Sequence, residues 1–116
     1  MRCVTYAGET VITTDDVAAS LIELTAATAR EGQSEAVSIP IVTEAGKVAQ
    51  AELVIGVGND VLSAPLEWDD EEPDFADFAV ELRRHRLFPR RRLQAVESGP
   101  DDDEPVEWDF DQPTQA

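Results

Sequence analysis

The chain has one cysteine, Cys3, and one histidine, His85, among its 116 residues. A lone thiol cannot close an internal disulfide, and it suits a reducing, cytoplasmic setting. The one available Cys–His couple would need these two residues to meet in space, so the thiol reads as a buried or edge group and the imidazole as a solvated helix-end group. No Gly-x-Ser-x-Gly elbow, His-Glu-x-x-His pair or Walker A sequence occurs. The apolar runs fall far short of the roughly 20 residues a membrane-spanning helix needs. Met1 to Tyr6 leads into a turn and not into an apolar stretch, so no secretory leader is expected. Lysine is almost missing too: arginine supplies eight of the nine bases, a bias associated with GC-rich bacterial or phage genomes.

Acid is what the chain has in excess. Twenty-five Asp and Glu against nine bases leave a net charge of -16. That balance argues against anionic membranes and makes direct nucleic-acid binding an unfavourable reading. The bases are not scattered. Six lie in one stretch, Arg83, Arg84, Arg86, Arg90, Arg91 and Arg92, between acidic clusters at Glu67–Asp77 and Glu97–Asp111. Basic residues interleaved with Phe88 resemble a phosphate-binding strip. The flanking acids, within about one Debye length of roughly 8 Å, would repel a polyanion. Internal neutralisation, by the acids before the second helix or by the tail folding back, is the favoured reading of these arginines.

The pattern of elements predicts an α+β fold. Cys3–Tyr6 and Thr10–Thr13 flank Ala7-Gly8-Glu9 as a β-hairpin, with Gly8 supplying a positive φ. A helix over 14–31 follows, with Thr14 as N-cap, Asp15 and Asp16 in the first turn, Val17, Leu21, Leu24 and Thr28 on one stripe, and Gly32 just past the end. Val37, Ile39 and Ile41 alternate, then Ala49, Ala51, Leu53 and Ile55, around a Glu44–Lys47 turn. Pro40 has no N–H and marks a side with a broken ladder. Gly56-Val57-Gly58 lacks a third glycine and a following helix, so it reads as a hairpin turn and not a dinucleotide fingerprint. Leu62, Ala64, Leu66 and Trp68 share a face of a last strand. The order is ββαβββ, an antiparallel sheet packed by one helix. A second helix near 73–87 starts at Pro73 and carries Phe75, Phe78, Ala79 and Leu82 inward. Domain boundaries follow: 1–88 as the folded unit, 89–96 as a basic linker and 97–116 as an acidic tail expected to be mobile.

Two large aromatics stand in that tail. Glu107, Trp108, Asp109, Phe110 and Asp111 combine aromatic anchors with carboxylates, a common form of short recognition segment. Asp101 to Glu104 lacks the spaced ligands and glycine of a calcium loop, so no metal and no cofactor is expected. The expected function is a non-enzymatic, regulatory or adaptor interaction protein. Its partner presents a basic surface to Trp108, Phe110 and their acids, and the arginine segment offers a rival site within the chain. The alternatives are an acidic mimic that occupies a nucleic-acid-binding protein, a homo-oligomer joined through arginine and acid segments, and a small-ligand or enzymatic domain.

Overall fold

A computed structural model describes residues 1–90. The chain forms β1 (Arg2–Tyr6), β2 (Glu9–Thr13), α1 (Asp15–Arg30), β3 (Ser34–Val42), β4 (Val48–Gly56), β5 (Val61–Pro65) and α2 (Ala76–Arg83). This is the expected α+β class: one five-stranded antiparallel sheet and two helices. The expected acidic tail, and the linker from residue 91 on, lie outside the described residues.

Local chemistry sets the first hairpin and α1. Ala7 and Gly8 both have positive φ, 53° and 84°. Two such residues form the mirror-image turn whose twist matches that of the flanking strands. Thr14 stands at the N-cap in extended geometry, but its hydroxyl does not cap. It donates to the Asp16 carboxylate, which in turn accepts the Val17 N–H at 2.8 Å. At the other end Gly32 takes φ 70°. The Gln33 N–H reaches Thr28 O at 3.1 Å and the Gly32 N–H reaches Ala29 O at 2.9 Å. These paired bonds satisfy carbonyls that the last helical turn leaves open.

The core is the stripe read from the sequence. Val17, Leu21, Leu24 and Thr28 are all buried, beneath Val4, Ile39 and Ile55. Val4 pairs in register with Val11 and Ser63, so that face of the β1–β2–β5 ladder looks toward α1. Leu62 and Ala64 fall on the opposite face, and Leu62 is 63% exposed. The expected alternation of β5 therefore holds, but on the open side of the sheet. The strand also ends earlier, at Pro65, after which Leu66 N–H makes one bond to Met1 O at 3.1 Å and Trp68 turns onto the core.

Sheet order is β4-β3-β2-β1-β5. β3 and β4 pair over their whole length, whereas β2 and β3 meet at a single pair, Ile12 and Val42. Pro40 is part of the reason. Its carbonyl faces β2 and accepts the Thr13 hydroxyl at 2.7 Å, and the N–H that would extend that ladder does not exist.

Gly56-Val57-Gly58 is not a hairpin turn. The strands it joins lie at opposite edges of the sheet. Flat, five strands would hold β4 and β5 about 19 Å apart, four spacings of roughly 4.8 Å. The link from Gly56 to Val61 extends to about 18 Å at most, and a turn bond from Asn59 N–H to Gly56 O shortens it further. The sheet must therefore curl until its two edges approach at this end. Asn59 Nδ2 ties the link down by donating to Val54 O at 3.3 Å.

α2 is shorter than the 73–87 expected. Asp74 accepts the Ala76 N–H at 3.0 Å, which starts the helix after Pro73 and not at it. At its end His85 N–H bonds Leu82 O, and His85 Nδ1 accepts the Leu87 N–H at 3.1 Å. Those bonds turn the chain before Phe88. Phe75, Ala79 and Leu82 are buried as the spacing implied, while Phe78 is 39% exposed and meets Phe75 edge to face.

Candidate functional site: sorted charge and an acid-rimmed groove

The described arginines of the basic stretch are engaged within the fold. Arg83 donates to Ser20 Oγ at 2.9 Å, and Arg84 pairs with Glu81 at 3.4 Å. Arg86 reaches Glu35 Oε2 at 2.8 Å and Gln33 Oε1 at 3.4 Å. Arg90 donates to the carbonyls of Arg84 and His85. Leu87 and Phe88, which interleave these bases, pack on the core. Of these four, Arg84 meets an acid at Glu81 and Arg86 at Glu35, and neither acid belongs to the 67–77 cluster; the tail, the other expected source of acids, lies outside the described residues. Arg91, Arg92, Glu107, Trp108, Asp109, Phe110 and Asp111 lie outside the described residues.

His85 and Cys3 are apart in their contacts. His85 Nε2 lies 3.4 Å from Glu35 Oε1, and Cys3 sits on β1 opposite Ile12 and Ala64. Among the described residues no group of three or more His, Cys, Asp or Glu could hold a metal ion, and no helix is long and apolar enough to cross a membrane.

The acids before α2 are treated differently from the arginines. Glu72 pairs with the Met1 amino group at 3.3 Å and Asp74 caps Ala76. Glu67, Asp69, Asp70, Glu71 and Asp77 are exposed and make no hydrogen bond or ion pair with any described residue. Part of this strap borders a groove of about 640 Å³ against the β3–β4 turn. Ile12, Val42, Val48, Trp68 and Pro73 line it, and so do Glu44, Asp70, Glu71, Glu72 and Asp74, with no base among them. The sequence announced the acids. It could not announce the groove, because Trp68 joins the Ile12–Val42 pair only when β5 ends early.

A second cavity, of about 430 Å³, lies inside the curled sheet among Val4, Val11, Leu21, Ile39, Ala51 and Leu53. Tyr6 also lines it. The Tyr6 hydroxyl is buried without a hydrogen-bond partner. Burial raises this phenol above its ordinary value of 10.0, and the nearby Asn59 amide, although it forms no hydrogen bond with the phenol, offsets only part of that. The folded state therefore favours the neutral phenol. Its contribution is fully present below pH 10.0 and is lost as pH rises through the folded-state value. Tyr6→Phe should thus leave stability at neutral pH unchanged or slightly higher, because it removes an unsatisfied buried hydroxyl. It should also remove part of the alkaline decline. The Met1 amino group declines in the same direction from 8.0 upward: burial lowers its affinity for the proton, but Asp15 and Glu72 more than restore it. Thermal unfolding of both proteins at neutral pH and above pH 10 separates the two groups. Tyr6 is the chain's one tyrosine, so an ultraviolet titration of phenolate reads it directly.

No family model matches the chain, and neither the curated proteins nor the solved structures contain a significant match to it.

Proposed function

We propose that this chain is a non-enzymatic interaction protein, regulatory or adaptor in type, whose partner presents a basic surface. One observation carries the reading: charge is sorted by the fold. The described arginines between Arg83 and Arg90 are taken up by Glu35, Glu81, Ser20 and backbone carbonyls, while five carboxylates between Glu67 and Asp77 stand exposed and unpaired among the described residues. A surface of one sign that is not cancelled from within attracts a partner of the other sign and steers its approach. Glu107, Trp108, Asp109, Phe110 and Asp111 would add acids and aromatic anchors of the same character to that surface.

Binding of the full chain to an arginine-rich polypeptide, measured calorimetrically across a salt series, tests this. Affinity should fall steeply from low to moderate ionic strength, as screening shortens the range of the attraction. Duplex DNA should compete for the polypeptide and not bind the chain. Absence of binding at low salt, or binding indifferent to salt, would overturn the reading.

A further inference from the structure

We infer that the groove between the 68–74 strap and the β3–β4 turn is the docking site for an extended basic segment of a partner protein. The segment carries one large apolar residue between its arginines or lysines. The inference rests on the basic-partner reading and gives it a location.

Three observations point to that occupant. The floor is apolar: Ile12, Val42 and Trp68 pack on or into the core, and Val48 leaves 62% of its surface exposed there. A branched side chain left in water beside such a floor gains by being covered, at about 25 cal/mol per Å². The rim is acidic along the strap, with Asp70 and Glu71, and Glu44 adds a carboxylate from the β3–β4 turn, where the exposed Lys47 stands outside the lining; none of these three carboxylates has a partner among the described residues. A bare apolar ligand would leave those carboxylates unanswered, and a bare polycation would leave the floor uncovered. Long basic side chains suit this shape because their methylenes cover apolar surface while their charged ends reach the rim. Finally, Trp68 is part of the groove lining. An indole ring attracts guanidinium and ammonium groups.

The test uses the full chain and three synthetic peptides: Arg-Arg-Leu-Arg-Arg, the same peptide with serine for leucine, and the same peptide with glutamine for each arginine. Dissociation constants come from calorimetry, and the location comes from amide and methyl chemical shifts. The leucine peptide should bind about tenfold more tightly than the serine peptide, as expected for burying one leucine side chain in part. The glutamine peptide should not bind. Shifts should centre on Ile12, Val42, Val48 and the Trp68 indole. Val48→Asp should abolish the leucine advantage, and Glu44→Gln with Asp70→Asn and Glu71→Gln should weaken both arginine peptides about tenfold. Glu72 and Asp74 are left intact because they hold Met1 and α2. Equal affinity for the leucine and serine peptides, or shifts centred elsewhere, would overturn the groove while leaving a basic partner standing. Failure of every arginine peptide at low salt would overturn both. An amide spectrum of each variant guards against loss of the fold.

Discussion

Gly56→Ala should cost upwards of about 3 kcal/mol, and this is the largest effect expected of any single methyl added to the chain. Gly56 has φ 123°, a conformation that side chains disfavour. A Cβ there would stand 2.2 Å from Gln33 O and 3.0 Å from both Ser34 Cα and Thr28 Cγ2. Gln33 O and Ser34 Cα are backbone atoms at the junction of α1 and β3, so relief would require moving that junction. Gly56 is also where β4 leaves its ladder and starts toward the opposite edge, so the strain falls on the link that curls the sheet. Gly58 is the control. Its φ of 83° is also positive, but nothing lies within 4 Å of where its Cβ would be. Gly58→Ala should cost only about 1 kcal/mol, the ordinary price of a left-handed residue. Urea unfolding followed by circular dichroism compares the two. Equal losses would mean that the close approach at Gly56 is not what matters.

Leu24→Ala should cost about 4 kcal/mol, and Leu21→Ala about 3 kcal/mol. Both side chains are fully buried on the inner stripe of α1. They differ in surroundings. Leu21 already borders the cavity inside the curled sheet, so its removal enlarges an existing space whose walls are partly open. Leu24 does not line that cavity, so its removal leaves a new void among packed neighbours, and the lost contacts are not replaced. A domain of this size has about 5–10 kcal/mol in all, so Leu24→Ala should leave it only marginally folded at room temperature. The same urea series measures both variants. A loss below about 1.5 kcal/mol at Leu24 would show that the helix stripe is not the centre of the core.

Much of the architecture was legible in the residues because it depends on short-range periodicity. Val17, Leu21, Leu24 and Thr28 repeat at helical spacing, and burying that stripe is the only arrangement that hides them together. Ala49, Ala51, Leu53 and Ile55 alternate against Gln50 and Glu52, which settles the inward face of β4. Gly32 closes α1 by a bond pattern that needs only its own positive φ and its neighbours. Pro40 announced a broken ladder before the strand beside it was known. The five-stranded antiparallel class followed from these signals.

Other features depended on which strand lies beside which. Gly56-Val57-Gly58 has turn composition in either case, and only the strand order reveals that it crosses between edges. Leu62 and Ala64 alternate correctly, but alternation does not say which face is covered; α1 lies on the side of Val4 and Tyr6. Helix α2 ends early because the His85 ring accepts a backbone N–H, an event of side-chain geometry that spacing does not encode. The site follows the same division. Charge runs are written in the sequence, so the excess of acid and the clustering of arginine were determined there. Which charges cancel was decided by the tertiary structure, because Glu35 and Arg86 are brought together from distant parts of the chain by packing of the helices on the sheet. Packing rests on close-range contacts between distant residues, and it left the described arginines between Arg83 and Arg90 answered, five of the carboxylates between Glu67 and Asp77 open and an apolar floor beside them.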